Sequence, residues 1–189
     1  MSSVVGFVGF SDSGKTTLIA WAVRELKKRG IKVGVIKHTP HGFDSGEKDT
    51  GRFFDAGADT VIASSGKELL KVERCDRERS LFEILDQLKS MDVVLVEGYK
   101  GEDIPQIVVF GKRISRDHIA LLDNDKVLAL AIEDAGVLDF LRKHLYGSVV
   151  EESERGNIRI RLKDRGEIPV IGFYDNKLLD ILIRGGSRV

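Results

Sequence analysis

Apolar residues fall into two rhythms along this chain. In one, they form short unbroken runs: "VVGFV" from Val4, "VGVI" from Val33, "VVLV" from Val93, "IVVF" from Ile107 and "VLALAI" from Val127. A run with no polar alternation reads as a strand covered on both faces. In the other rhythm, Leu18, Ile19, Ala22, Val23 and Leu26 recur at helical spacing, starting from Lys15. That stretch closes with "ELKKRG", where cations and then Gly30 give a helix stop signal. Further helices are expected at Thr50 to Ala56, in "LFEILDQLKS" and in "AGVLDFLRKHL". "TVIAS" reads as a third strand and "ELLKVER" as another.

Strands that are apolar on both faces and alternate with helices predict an α/β layer with a mostly parallel sheet. The texture changes after "YGS", where strand, turn, strand and a short helix follow. A boundary is therefore expected near Gly147, dividing a main domain (1–147) from a small C-terminal extension (148–189). The extension is too short for a core of its own, so it packs on the main domain or on a second subunit.

Composition narrows the class. The chain has 189 residues, of which 42% are hydrophobic, enough for one domain with a real core. Lys+Arg and Asp+Glu both number 30, so no net charge favours nucleic acid or an anionic membrane surface. Cys75 is the one cysteine, which excludes an internal disulfide and a cysteine-only metal site within one chain. It fits a reducing compartment. "MSSVVGFVGF" has no basic n-region, and no apolar run nears the roughly 20 residues of a membrane span. A cytoplasmic protein is the expectation.

Candidate chemistry enters at "GFSDSGKTT". Gly9-Phe10-Ser11-Asp12-Ser13-Gly14-Lys15-Thr16 fits G-x-x-x-x-G-K-[ST], the phosphate-binding loop or Walker A motif. Backbone N–H groups must curl around a phosphate, which favours glycine at Gly9 and Gly14 and asks little of Ser11, Asp12 and Ser13. The helix beginning at Lys15 points its positive end at the same anion. Lys15 adds a point charge for the outer phosphates. Thr16 offers a hydroxyl to Mg²⁺ and Thr17 one to the inner phosphate. A chain this long matches the pattern by accident on the order of one time in a hundred. Here the motif also follows a strand and opens a helix. The expected fold is therefore a three-layer P-loop NTPase, with a small C-terminal strand–helix appendage.

Acids that could complete a magnesium site stand where strands end. Glu97 closes "VVLVE", at the edge where α/β sheets bind ligands. Asp49 follows the second strand's loop, with Asp44 as a rival; Asp92 opens its strand at the opposite end of the sheet and is set aside. His38 and His41 form an H-x-x-H pair that lacks a third metal ligand, so polar contacts to ligand or backbone are expected. "NKLLD" at Asn176 to Asp180 is one residue too long for the guanine-reading Asn-Lys-x-Asp pattern. The residues thus lead to a magnesium–nucleoside triphosphate and do not select its base.

Together, "VGFSDSGKTTL", "VGVIKHTPHGFD", "KDTGRFFDAGAD" and "VLVEGYK" resemble the molybdopterin-guanine dinucleotide biosynthesis protein B family. The phosphate loop is generic; the "KHTPHGFD", "KDT" and "AGA" stretch is the specific part. "GEIPVIGFYDNKLLDIL" resembles an extension found in some members. Residues 102–145 carry no motif. The resemblance implies a GTP-binding homodimer that assists attachment of GMP to molybdopterin, beside a separate guanylyltransferase. It implies Lys15 and Thr16 as phosphate and magnesium residues, with Asp49 and Glu97 at the family's acidic positions. Lys48-Asp49-Thr50 keeps the hydroxyl where members often have Lys-Asp-Ser. Three activities compete: a slow GTPase using Lys15 and Asp49, a non-enzymatic adaptor, and a P-loop small-molecule kinase or ATP-dependent ligase. The motif is complete without the extension, so nucleotide affinity is expected to survive removal of residues 149–189.

Overall fold

The computed structural model describes residues 2–39, 49–145, 150–152, 157–162 and 166–188. They form two compact units, Met1–His38 with Ile84–Val189, and Thr39–Glu83.

The larger unit is built on one sheet. Its central strand β1 (Ser3–Val8) is buried along its whole length. Parallel neighbours cover both edges. On one side lies β5 (Val93–Glu97), followed by β2 (Val33–Lys37). On the other lie β6 (Gln106–Phe110), β7 (Val127–Ile132) and β10 (Gly166–Gly172). Antiparallel β9 (Ile158–Leu162) and β8 (Val150–Glu152) continue beyond β10. A further strand, β11 (Ser187–Arg188), pairs antiparallel with Ser3 and Val4 of β1. The order is β2-β5-β1-β6-β7-β10-β9-β8, a mostly parallel arrangement as expected.

Strand periodicity of two sends alternate side chains to opposite faces, and each face has its own core. On one, Val5, Phe7, Leu95, Val109 and Ala131 meet Leu18, Ile19, Ala22 and Leu26 of α1 (Lys15–Lys28). Leu178, Leu179 and Leu182 of α6 (Asn176–Arg184) complete that face. On the other, Val8, Val108, Phe110, Leu130 and Ile132 meet Val137, Leu138 and Leu141 of α5 (Gly136–His144). Helix, sheet and helix thus make the three layers. Between β6 and β7 lies a short helix, α4 (Arg116–Ile119), which periodicity does not announce.

The extension belongs to the same sheet and core. β10 adds a strand beside β7, and α6 packs on the face that α1 covers. Of the two packing options, the main sheet is the one seen. The expected boundary at Gly147 lies outside the described residues. Ser3 Oγ donates to Leu182 O at 2.7 Å, tying β1 to α6. A Cβ on Gly186 would lie 2.7 Å from Val4 N, so only glycine lets the chain return to β1 there. "NKLLD" forms the first residues of α6, capped by Asp175, which accepts from Lys177 N at 2.9 Å. Asn176 and Asp180 both meet Arg29, a structural use for these side chains.

In the smaller unit, α2 (Asp49–Asp55) precedes a hairpin of β3 (Thr60–Ser64) and β4 (Leu69–Glu73). The sequence pattern suggests two more strands of the alternation. They pair with each other instead and form a separate two-stranded sheet. The linker explains this: Ser65 N donates to Glu68 O at 2.9 Å, and a turn that tight permits only antiparallel pairing. α3 (Leu81–Leu85) then opens with a reciprocal cap. Ser80 N donates to Glu83 Oε2 and Glu83 N to Ser80 Oγ. The Arg77 guanidinium, then the Ser80 donors, hold the Glu83 carboxyl down at about 2.

Candidate functional site

β1 ends at Val8 and the chain turns through Gly9–Gly14 before α1 begins. Asp12 (φ 59°) and Gly14 (φ 84°) are left-handed, which wraps the segment into a loop. Packing sets the glycine requirement. A Cβ on Gly9 would stand 2.6 Å from Val109 O, and one on Gly14 would stand 2.8 Å from Phe173 Cε2. Behind the loop, a Cβ on Gly111 would come within 3.0 Å of Ser13 Cα. β6 and the extension therefore press on the loop's back and leave its front open.

The first turn of α1 has no side-chain cap and no acid, so its N–H groups are left for an anion. Lys15 folds over the loop. Its Nζ donates to Phe10 O at 2.7 Å, Gly9 O at 3.1 Å and Ser13 Oγ at 3.3 Å. Burial lowers its pKa; Glu97 opposes this, Lys100 and Lys37 reinforce it, and Asp12 opposes it. The ammonium is thus held by neutral oxygens, two carbonyls and a hydroxyl.

Glu97 arrives from β5, in register with Phe7 and Lys37 of the strands on either side. Thr16 Oγ1 donates to its Oε1 at 2.8 Å, and Lys37 Nζ lies 3.8 Å from the same oxygen. A hydroxyl and a carboxylate so placed beside a phosphate cradle fit Mg²⁺. That ion takes oxygen ligands, keeps several waters, and needs only one or two protein groups besides phosphate. Residues 11–17 and Glu97 line a cavity of about 510 Å³, within the range of small-ligand sites.

Of the expected site residues, Gly9, Ser11, Asp12, Ser13, Gly14, Lys15, Thr16, Thr17 and Glu97 come together here. Asp49 belongs to the smaller unit, where it opens α2, exposed and 3.9 Å from Arg52. His38 N donates to Glu97 O at 2.9 Å, and its ring lies 4.7 Å from that of Tyr99. His41 and Asp44 lie outside the described residues. Among the described residues no group of three or more His, Cys, Asp and Glu could hold a metal. None of their helices is long and apolar enough to cross a membrane.

Several neighbours of the loop escape sequence reasoning. Phe10 meets the ring of His118 at 4.2 Å, and His118 in turn meets Phe110 at 5.6 Å. His118 is only 8% exposed. Its Nδ1 accepts from Ser115 N at 3.1 Å, which leaves the ring proton on Nε2 in the neutral form. Burial lowers its pKa, Asp117 opposes this, and Lys100 adds to the fall. A serine three residues before a histidine was the signal for this cap, within a region that carries no motif. Phe173 gave no signal, because only the fold brings the extension to Gly14.

Residues 4–133 match the family described as Molybdopterin guanine dinucleotide synthesis protein B. The molybdopterin-guanine dinucleotide biosynthesis adapter protein of Escherichia coli (strain K12) is 33% identical over 150 residues, covering 74% of this chain and 86% of that protein. A putative adapter protein of the same description from Methanocaldococcus jannaschii is 36% identical over 133 residues, covering 65% of this chain and 55% of that protein. The crystal structure of Bacillus subtilis MobB shares the fold, with a TM-score of 0.69 at 20% identity over 99% of both chains. Motif, strand order and sequence agree, and the chain belongs to the Molybdopterin guanine dinucleotide synthesis protein B family.

Proposed function

We propose that this chain binds Mg–GTP at the loop of residues 9–17. In this reading it serves as an adapter when GMP is attached to molybdopterin during molybdenum cofactor biosynthesis, beside a guanylyltransferase. The observation that carries the reading is the uncapped first turn of α1, with Lys15 folded over it and the Thr16–Glu97 pair at its side. The backbone N–H groups and Lys15 would take the phosphates, and Thr17 the inner one. Thr16 and Glu97 would hold Mg²⁺, directly or through water. Bound Mg²⁺ would offset charge on the outer phosphates. The adapter role and the transferase partner are supported by the names of the relatives, and guanine by the nucleotide those names contain.

Hydrolysis in this proposal is slow. No arginine stands in the phosphate loop, and a missing arginine finger costs phosphoryl transfer several powers of ten. Asp49 is proposed as a second acid that orients water or reaches the metal. Asp49→Ala is then expected to lower phosphate release and Mg-dependent affinity more than Mg-free affinity. Steady-state phosphate release at two magnesium concentrations checks this, and equal losses with and without magnesium would remove Asp49 from the site. For the reading as a whole, calorimetric titration with GTP, GDP, ATP and CTP in magnesium is the test. Tight GTP binding with weak ATP and CTP binding is expected; no binding, or preference for ATP, would overturn it.

A further inference from the structure

Lys100 lies outside the phosphate motif, yet the fold delivers it to the motif's rim. Directly after Glu97, Gly98 (φ 96°) and Tyr99 (φ 50°) are successive left-handed residues. A tyrosine in that conformation is strained, and such strain persists only where the surroundings fix it. Two contacts fix it here. The Tyr99 ring lies 4.7 Å from the His38 ring. Gly98 passes so near that a Cβ on it would lie 3.0 Å from His38 Cβ. The turn places Lys100 Nζ over the Phe10 ring, 5.1 Å from its centroid. The carbonyl of that same Phe10 holds Lys15 Nζ at 2.7 Å. One residue of the phosphate loop therefore carries an ammonium on its ring and another on its carbonyl. Each raises the electrostatic cost of the other. An anion shared between them relieves that repulsion.

We infer that Lys100 is a second phosphate-binding cation, which exchanges the Phe10 ring for the outermost phosphate of a bound nucleoside triphosphate and so makes the site prefer triphosphate to diphosphate. The inference rests on the nucleotide reading above. An exposed cation–π contact is weak, and a charge-assisted hydrogen bond to phosphate is stronger, so the exchange runs downhill. Lys15 stays with the loop in either state. A diphosphate lacks the outer group and leaves Lys100 on its ring.

The test is calorimetric titration of Mg–GTP and Mg–GDP into wild type, Lys100→Gln and Lys100→Arg. Lys100 is exposed, so the variants fold; thermal melts confirm it. Lys100→Gln is expected to weaken GTP by about tenfold, in line with a lost charged hydrogen bond. GDP affinity is expected to stay within about twofold, and Lys100→Arg to keep most of the GTP preference. Equal losses for both nucleotides would assign Lys100 to loop packing or general field and overturn the inference. An unchanged GTP-to-GDP ratio in Lys100→Gln would overturn it alone, leaving the nucleotide reading intact. A wild type that binds neither nucleotide would overturn both.

Discussion

Single residues at this site are governed by how the loop's back is filled and how its front is left empty. Lys15 shows both. Its ammonium rests on loop carbonyls, so it costs the core little to remove it and costs an incoming anion its main cation. Lys15→Ala is therefore expected to abolish tight triphosphate binding while the thermal midpoint shifts by no more than a few degrees. A variant that bound as tightly as wild type would remove the assignment of the loop. Burial, the largest cause, lowers the pKa of Lys15, so as pH rises it loses its proton earlier than an ordinary lysine. Phosphate favours the charged form. Affinity is then highest below the lowered pKa and falls as pH climbs through it, with proton uptake on binding in that alkaline window. Titration in two buffers of different ionisation enthalpy, from neutral to alkaline pH, measures both.

Much at this scale was legible in the sequence, because the phosphate loop is local: nine consecutive residues carry its chemistry. His118, Lys100 and Phe173 were not legible. Each reaches Phe10 or Gly14 from a different strand end, and nothing in the sequence near those positions encodes the meeting.

Among the elements, the wholly apolar strands and the long helix α1 are plain in the chain, since burial on two faces leaves no polar position to confuse the period. The hairpin β3–β4 is less plain. Its strands read as strands, but pairing depends on the turn between them and not on their pattern. α4 is too short for periodicity to register. β10 and α6 read correctly as strand and helix, yet their place in the sheet changes what the extension does. Phe173 lies just past β10 with its ring against Gly14, while Tyr174 lies edge-on to Trp21 of α1, 5.7 Å away. Removing the extension would therefore loosen the loop as well as take Leu178, Leu179 and Leu182 out of the core they share with α1. That argues against an affinity indifferent to the extension. Phe173→Ala is a milder probe. It is expected to cost about 2 kcal/mol of stability, for a large side chain that is only partly buried. It should also weaken triphosphate binding several-fold, because Gly14 loses its support. Denaturant unfolding and nucleotide titration on one preparation measure the two effects. Unchanged affinity in the destabilised variant would confine Phe173 to packing.

For the whole molecule, the layered α/β class followed from the alternation of periods, and the sheet order did not. Nothing in the apolar runs says that β5 lies between β1 and β2, or that β10 follows β7. The smaller unit leaves apolar side chains uncovered. Ile62 is 59% exposed and Leu69 71%, and their register places both on one face of the hairpin. Exposed large apolar side chains in a short two-stranded sheet are a liability unless something covers them. Ile62→Glu with Leu69→Glu is expected to lower self-association measured by light scattering without unfolding the larger unit. A double variant that associated as much as the wild type would show that this face is not where copies meet.

The pairing of β11 with β1 also has a meaning in time. Ser3 and Val4 are made long before Ser187 and Arg188, which complete their hydrogen-bonded edge. Until then the central strand of the sheet has half an open edge, the kind of surface that recruits stray strands or chaperones. Contacts so distant in sequence also form slowly. Refolding of the full chain is expected to end in a late step that a variant lacking residues 187–189 does not show. Stopped-flow fluorescence of Trp21, beside Tyr174 on this side of the sheet, can follow it. Closure of the central strand's edge would then wait on a segment far away in the sequence.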